Sequence, residues 1–223
     1  MSRASSHLLS RFVIAGSLFA ALTTSAFANE PRFAQPPVAD RMAQIEQPAD
    51  IAPIAVTRAQ VRAKLAQART ANLQRFRAYQ TKGVFPSNTF DTRKLNVWMD
   101  ADGHLCAAAT IINASGQTDL VQKVAEQNNF IRLADVRQGP LMDWILTSGL
   151  TQQEIAAIQE PFMPVYREPP VVEPDLRSAE NQRLMKKYKQ VESQIVKNQK
   201  KSLDSAVDRL MKNQALAWQF VNS

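Results

Sequence analysis

Two histidines and one cysteine are all that this sequence has of the side chains that most often bind metals or attack substrates, and one of the histidines is His7, close to its start. The lone thiol, Cys106, has no partner for an internal disulfide. It is either free or half of an intermolecular bridge. A serine triad has only His104 to use as its base. The H-E-x-x-H motif of zinc proteases is missing, and so are the G-x-x-x-x-G-K-[ST] and G-x-G-x-x-G phosphate loops. No cofactor is therefore expected. Hydrolysis by paired carboxylates leaves little trace in a sequence and stays open. After residue 30 no apolar run approaches the roughly 20 residues that a membrane helix needs.

Glycine is scarce, with six residues, and proline is present in ordinary number but unevenly placed. Five of the twelve prolines fall in residues 29–56 and five in 161–174, and beyond Pro174 there is neither proline nor glycine. Proline-rich stretches such as EPRFAQPPVAD and EPFMPVYREPPVVEPD read as extended connectors. The start of the chain is of another kind. Arg3 and Arg11 precede the apolar run FVIAGSLFAAL, and the small-residue stretch TTSAFA follows it. That is the pattern of a secretory signal peptide, with cleavage expected after Ala28 and export to the periplasm or beyond. The resulting map is a signal peptide (1–28), a leader (29–56), a compact domain (57–160), a spacer (161–174) and a basic helical tail (175–223).

The compact domain opens on TRAQVRAKLAQARTANLQRFRAYQTKG. Thr57 and Gln60 have capping-box spacing, and Gly83 is a natural stop. Val61, Leu65, Ala68, Phe76 and Tyr79 recur at helical spacing, while Arg58, Arg62, Arg69, Arg75 and Arg77 are assigned to the outer face. Next, Leu95, Val97 and Met99 alternate with polar or aromatic neighbours, and Asp102-Gly103 signals a tight turn. The apolar run LCAAATII completes the expected hairpin. DLVQKVAEQNN and GPLMDWILTSGLTQQEIAAIQEP read as three short helices, with Pro140 at a first helical position and Thr151 with Glu154 as a second capping box. The predicted fold is α+β, predominantly helical: a long first helix, a β-hairpin packed by short helices, and the extended tail. The last helix pair has helix-turn-helix spacing, but it carries no cationic recognition face, which argues against DNA as a partner.

The stretch MDADGHLCAAA gathers Asp100, Asp102, His104 and Cys106. On a hairpin, His104 and Cys106 point to one side, and an imidazole beside a thiol makes a nucleophile. That is the basis of an alternative reading as a hydrolase or thiol enzyme. The plainer reading has Asp-Gly as a turn and Cys106 as a small buried apolar residue. Zinc recruits more Cys or His than this, and calcium more oxygen ligands, so no metal is expected.

The tail carries ten Lys plus Arg against five acidic residues. Leu184, Tyr188, Val191 and Ile195 have coiled-coil spacing, which lapses over residues 197–202 and resumes in another phase with Leu203, Val207 and Leu210. These seven residues are the candidate contacts for a protein partner or a second copy. An anionic polymer or a membrane surface, with Trp218 and Phe220 as interfacial anchors, is the remaining alternative. The expected function is association by an exported, non-enzymatic protein.

Overall fold

The computed structural model describes residues 55–223. The signal segment, its cleavage point after Ala28 and all but the end of the leader lie outside the described residues. Within them, the elements are α1 (Arg58–Lys82), α2 (Ala107–Ala114), α3 (Thr118–Asn128), a 3₁₀ turn (Leu133–Asp135), α4 (Pro140–Thr147), α5 (Gln152–Ile158), α6 (Pro174–Lys197), α7 (Gln199–Leu210) and α8 (Gln214–Asn222).

The signals for helix ends act as their chemistry dictates. Thr57 and Gln60 close a capping box on α1, and Gly83 ends it at φ 65°. Pro140 opens α4, and Thr151 with Glu154 caps α5. At the two capping boxes side chains satisfy backbone N–H groups that a helix start leaves without partners, whereas Pro140 has no N–H to satisfy and Gly83 donates its own amide to the Tyr79 carbonyl.

The predicted β-hairpin is absent, and this corrects the α+β reading. Among the described residues only isolated bridges occur, Met99 with Leu105, Leu95 with Phe162 and Asn88 with Pro164. The Asp102-Gly103 turn does form, with Gly103 at φ 78°. After one bridge the chain leaves the extended state at Cys106, which caps α2. The residues expected to make the second strand are therefore a helix. Three successive alanines favour it, since alanine gives up no side-chain entropy on helix formation. A short apolar run with no alternation fits a buried helix as well as a buried strand. Ala107, Ala108, Ala109, Ile111 and Ile112 are all buried, so α2 is surrounded by protein.

Helix α1 is the element that the others share. Its second half (Leu73, Phe76, Tyr79) lies in one apolar core with α2, α4, α5 and the α6 residues Leu184, Tyr188, Val191 and Ile195. Its first half (Val61, Leu65) lies in a second core with Leu203, Val207 and Leu210 of α7 and Ala217 of α8. The tail folds back along α1, and the lapse in its apolar spacing is the break between α6 and α7 at Asn198. Part of the spacer also belongs to the fold. Phe162 and Leu95 exchange backbone hydrogen bonds of 2.8 and 3.0 Å, and the Met163 amide donates to Glu180.

Arg69 stands on the buried side of α1, correcting its assignment to the outer face. It is 1 % exposed. Its guanidinium donates two bonds to Glu154, at 2.7 and 2.9 Å, and one each to the carbonyls of Gly149 and Ile195. One side chain thus ties α1 to the α4–α5 turn, to α5 and to the end of α6. Burial pushes the Glu154 carboxyl up, but the Arg69 bonds and the Thr151 amide outweigh it, so its pKa lies below the ordinary 4.5. Gly149 touches the same place. At φ +74°, a Cβ there would stand 2.1 Å from the Leu65 carbonyl oxygen.

Three outcomes are expected. Arg69→Met strands a buried carboxylate and costs about 3–5 kcal/mol in urea unfolding, and the Arg69→Met/Glu154→Leu double variant costs less than that. Because the folded pKa of Glu154 is depressed, its contribution is complete above pH 4.5 and is lost as pH falls through the folded value. The stability gap between the protein and Glu154→Gln therefore narrows in acid. Gly149→Ala combines a backbone clash with an unfavourable φ and costs more than about 3 kcal/mol by the same measurement.

Candidate functional site

The turn between α1 and α2 is held by one carboxylate. Asp100 is buried, and its Oδ1 accepts the backbone amides of Asp102 (3.0 Å) and His104 (2.8 Å). Its Oδ2 accepts the Ser87 amide at 2.9 Å and lies 3.0 Å from His104 Nδ1. Asp100, Asp102 and His104 bring their donor atoms within 4.8 Å of one another. Both Asp100 oxygens are already engaged, so this arrangement shapes a turn and orients the half-exposed imidazole.

Cys106 faces the other way. It is wholly buried, and its Sγ accepts the Ala109 amide at 3.4 Å as the α2 cap. Burial pushes its thiol up to about 12, which leaves it protonated and unreactive at neutral pH. No hydrogen bond joins it to His104 among the described residues. The fold spends His104 on Asp100 and Cys106 on a helix end. The shared side expected from a continuous strand is lost because Leu105 makes only an isolated bridge and Cys106 already caps α2.

The seven tail residues are also placed. Leu184, Tyr188, Val191, Ile195, Leu203, Val207 and Leu210 are all buried within the chain's own two cores. Tyr188 packs edge-on against Phe76 and Tyr79, with ring centroids 5.6 Å apart in both pairs.

The arginines of α1 are likewise engaged. Arg58 pairs with Asp208, Arg62 with Asp204 and Arg77 with Glu192, each acid belonging to α6 or α7. Arg75 donates to the Ala114 carbonyl. Three of the arginines assigned to the outer face of α1 thus meet acids of the returning tail. The cations left exposed without an ion pair among the described residues include Lys186, Lys189, Lys197, Lys200 and Lys201 of α6 and α7.

What the tail leaves open is α8. Its inner side buries Ala217 and packs Phe220 and Val221 on the second core. Lys64 donates to the carbonyls of Val221 and Ser223 at its end and sits 5.5 Å from the Phe220 ring centre. On the other side Trp218 is 50 % exposed. It borders a groove of about 520 Å³ whose lining includes Val56, Met211, Ala215 and Ala217, with Gln214 and Gln219 as polar members and no charged side chain among the described residues.

Comparison with family models, curated proteins and solved structures finds no match. The chemistry of the chain has to be read from these residues alone. Sequence spacing pointed to Trp218 only as a lipid anchor. That it flanks an apolar groove depends on Val56, which lies far away in the chain.

A thiol reagent at neutral pH is expected to label Cys106 only after unfolding, at a rate unchanged by His104→Ala. Fast labelling of the folded protein that His104→Ala suppresses contradicts this assignment. Burial raises the pKa of Tyr79 and Tyr188 as well. All three groups favour the fold while neutral, so stability is complete below their ordinary values and falls as pH rises above about 9. Urea unfolding across an alkaline series reads that decline.

Proposed function

We propose that the protein is exported and acts by association with another protein, without catalysing a reaction, and that α8 supplies the contact. The observation that carries this reading is the half-exposed Trp218 beside an uncharged groove. Large apolar side chains flanking a concave, uncharged strip mark contact surfaces, and tryptophan is enriched among the residues that dominate binding energy. The apolar residues of α6 and α7 are spent inside the chain, so α8 inherits the role assigned to the tail as a whole. The thiol alternative loses its nucleophile to burial, and the anionic-polymer alternative keeps only the outward lysines of the tail.

A photo-crosslinking residue at Gln219 tests the reading in intact cells. The expected result is one discrete adduct, lost in the Trp218→Ser variant, on a protein whose N-terminus is Asn29. Truncating a contact of this kind costs about 2 kcal/mol or more of binding. No adduct, or one indifferent to Trp218, overturns the reading.

A further inference from the structure

Two arginines that stand outside the ion-pair pattern of α1 face one cleft. Arg137 follows the 3₁₀ turn, and Arg209 lies in the last turn of α7. Both line a space of about 730 Å³ to which that turn, α5 and α7 contribute. Among the described residues its lining holds no carboxylate. The acids in or beside these stretches are committed elsewhere: Asp135 to Arg132, Glu154 to Arg69, Asp204 to Arg62 and Asp208 to Arg58. The cleft shares no lining residue with the groove beside Trp218. We propose that it is a second binding site, and that its ligand is a phosphate group, free or carried by a small polar molecule.

The two cations are aligned by a buried side chain, which a chance meeting of surface arginines lacks. Gln152 is 9 % exposed. Its Nε2 donates to the carbonyls of Leu133 and Val136 at 2.8 Å each and to that of Ala134 at 3.3 Å, which fixes the backbone leading to Arg137. Its Oε1 accepts Arg209 Nη2 at 3.1 Å. Arg137 Nη1 donates to the Ala134 carbonyl at 3.0 Å. One glutamine therefore sets the positions of two guanidiniums from separate stretches of the chain. A guanidinium has five N–H donors. Each of these two gives one to the protein, so most of both forks faces outward for a ligand.

Charge selects the class of ligand. Two guanidiniums with no acid in the lining match a group of about two negative charges, and a phosphate ester carries roughly −1.5 to −2 at neutral pH. A carboxylate carries one charge, which a single guanidinium satisfies with a two-pronged bond. The rigid fork of arginine fits phosphate oxygens in a way that a lysine ammonium does not. Size leaves room for more than the phosphate. Small-molecule sites enclose about 300–1,000 Å³, and this cleft lies within that range. Thr151, Gln153 and Ser205 add uncharged hydrogen-bonding groups to its lining, which suits the hydroxyls of a polyol.

Calorimetric titration of the chain from Asn29 with inorganic phosphate, glucose 6-phosphate and glucose tests the site. Both phosphates are expected to bind at one per chain, and glucose is not. Tighter binding of glucose 6-phosphate assigns the site to a phosphorylated molecule, and equal or weaker binding assigns it to free phosphate. Either result supports the proposal. Arg137→Met and Arg209→Met are each expected to weaken phosphate binding about tenfold, the loss typical of a hydrogen bond between charged groups. Arg137 is exposed, so its variant keeps the urea midpoint of the unaltered chain in the absence of phosphate. Arg209→Lys recovers only part of the loss, because it restores the charge without the fork. Lys200→Gln/Lys201→Gln is expected to bind phosphate as the unaltered chain does, since neither lysine lines the cleft. A second readout is stability: excess phosphate raises the urea midpoint of the unaltered chain and leaves that of Arg137→Met/Arg209→Met where it is. No saturable binding of either phosphate overturns the proposal. So does an affinity indifferent to both arginines, a loss as large in the lysine variant, or glucose binding as tightly as its phosphate.

Discussion

The structure depends on a single guanidinium placed where an apolar side chain is expected. Arg69 sits one turn after Leu65 and one turn before Leu73 on the inner side of α1. It joins three separate stretches through Glu154, the Gly149 carbonyl and the Ile195 carbonyl. Removing a charge pair from water is costly, and replacing it with apolar groups is often no worse for stability. What the pair supplies here is a fixed alignment, because a planar two-pronged bond accepts one geometry. The close approach of Gly149 to the α1 backbone at Leu65 and Arg69 demands that alignment.

Around this clamp the remaining charges follow a pattern. Arg58, Arg62 and Arg77 of α1 meet Asp208, Asp204 and Glu192 of the returning tail. Exposed pairs of this kind contribute little individually, but their order along α1 runs opposite to their order along α6 and α7. They are consistent with only one direction and one register of the returning helices. The apolar residues drive the tail onto α1, and the charges specify how it lies.

Much of this was legible in the letters. Capping boxes, Pro140, Gly83 and the lapse after Ile195 mark real helix ends, because each is a local solution to unpartnered backbone groups. Two readings failed for physical reasons. The run from Leu105 to Ile112 has no alternation, and its alanines go with whichever packing surrounds them, here that of a buried helix. Arg69 was set among the outward arginines by its type, although its spacing from Leu65 and Leu73 already put it on the inner face. Cys106 looked like a possible partner for His104 only while both were taken to lie on one strand. The groove at α8 was not legible at all, since its walls come from residues about 150 positions apart and only folding brings them together.

The path of the chain also has a consequence for its biogenesis. The opening turns of α1 find most of their buried apolar neighbours in α7 and α8, which are synthesised long after it. Until α7 and α8 have left the ribosome, Val61 and Leu65 lack most of the side chains they pack on. The opening half of α1 therefore reaches its native packing only after those two helices have been made.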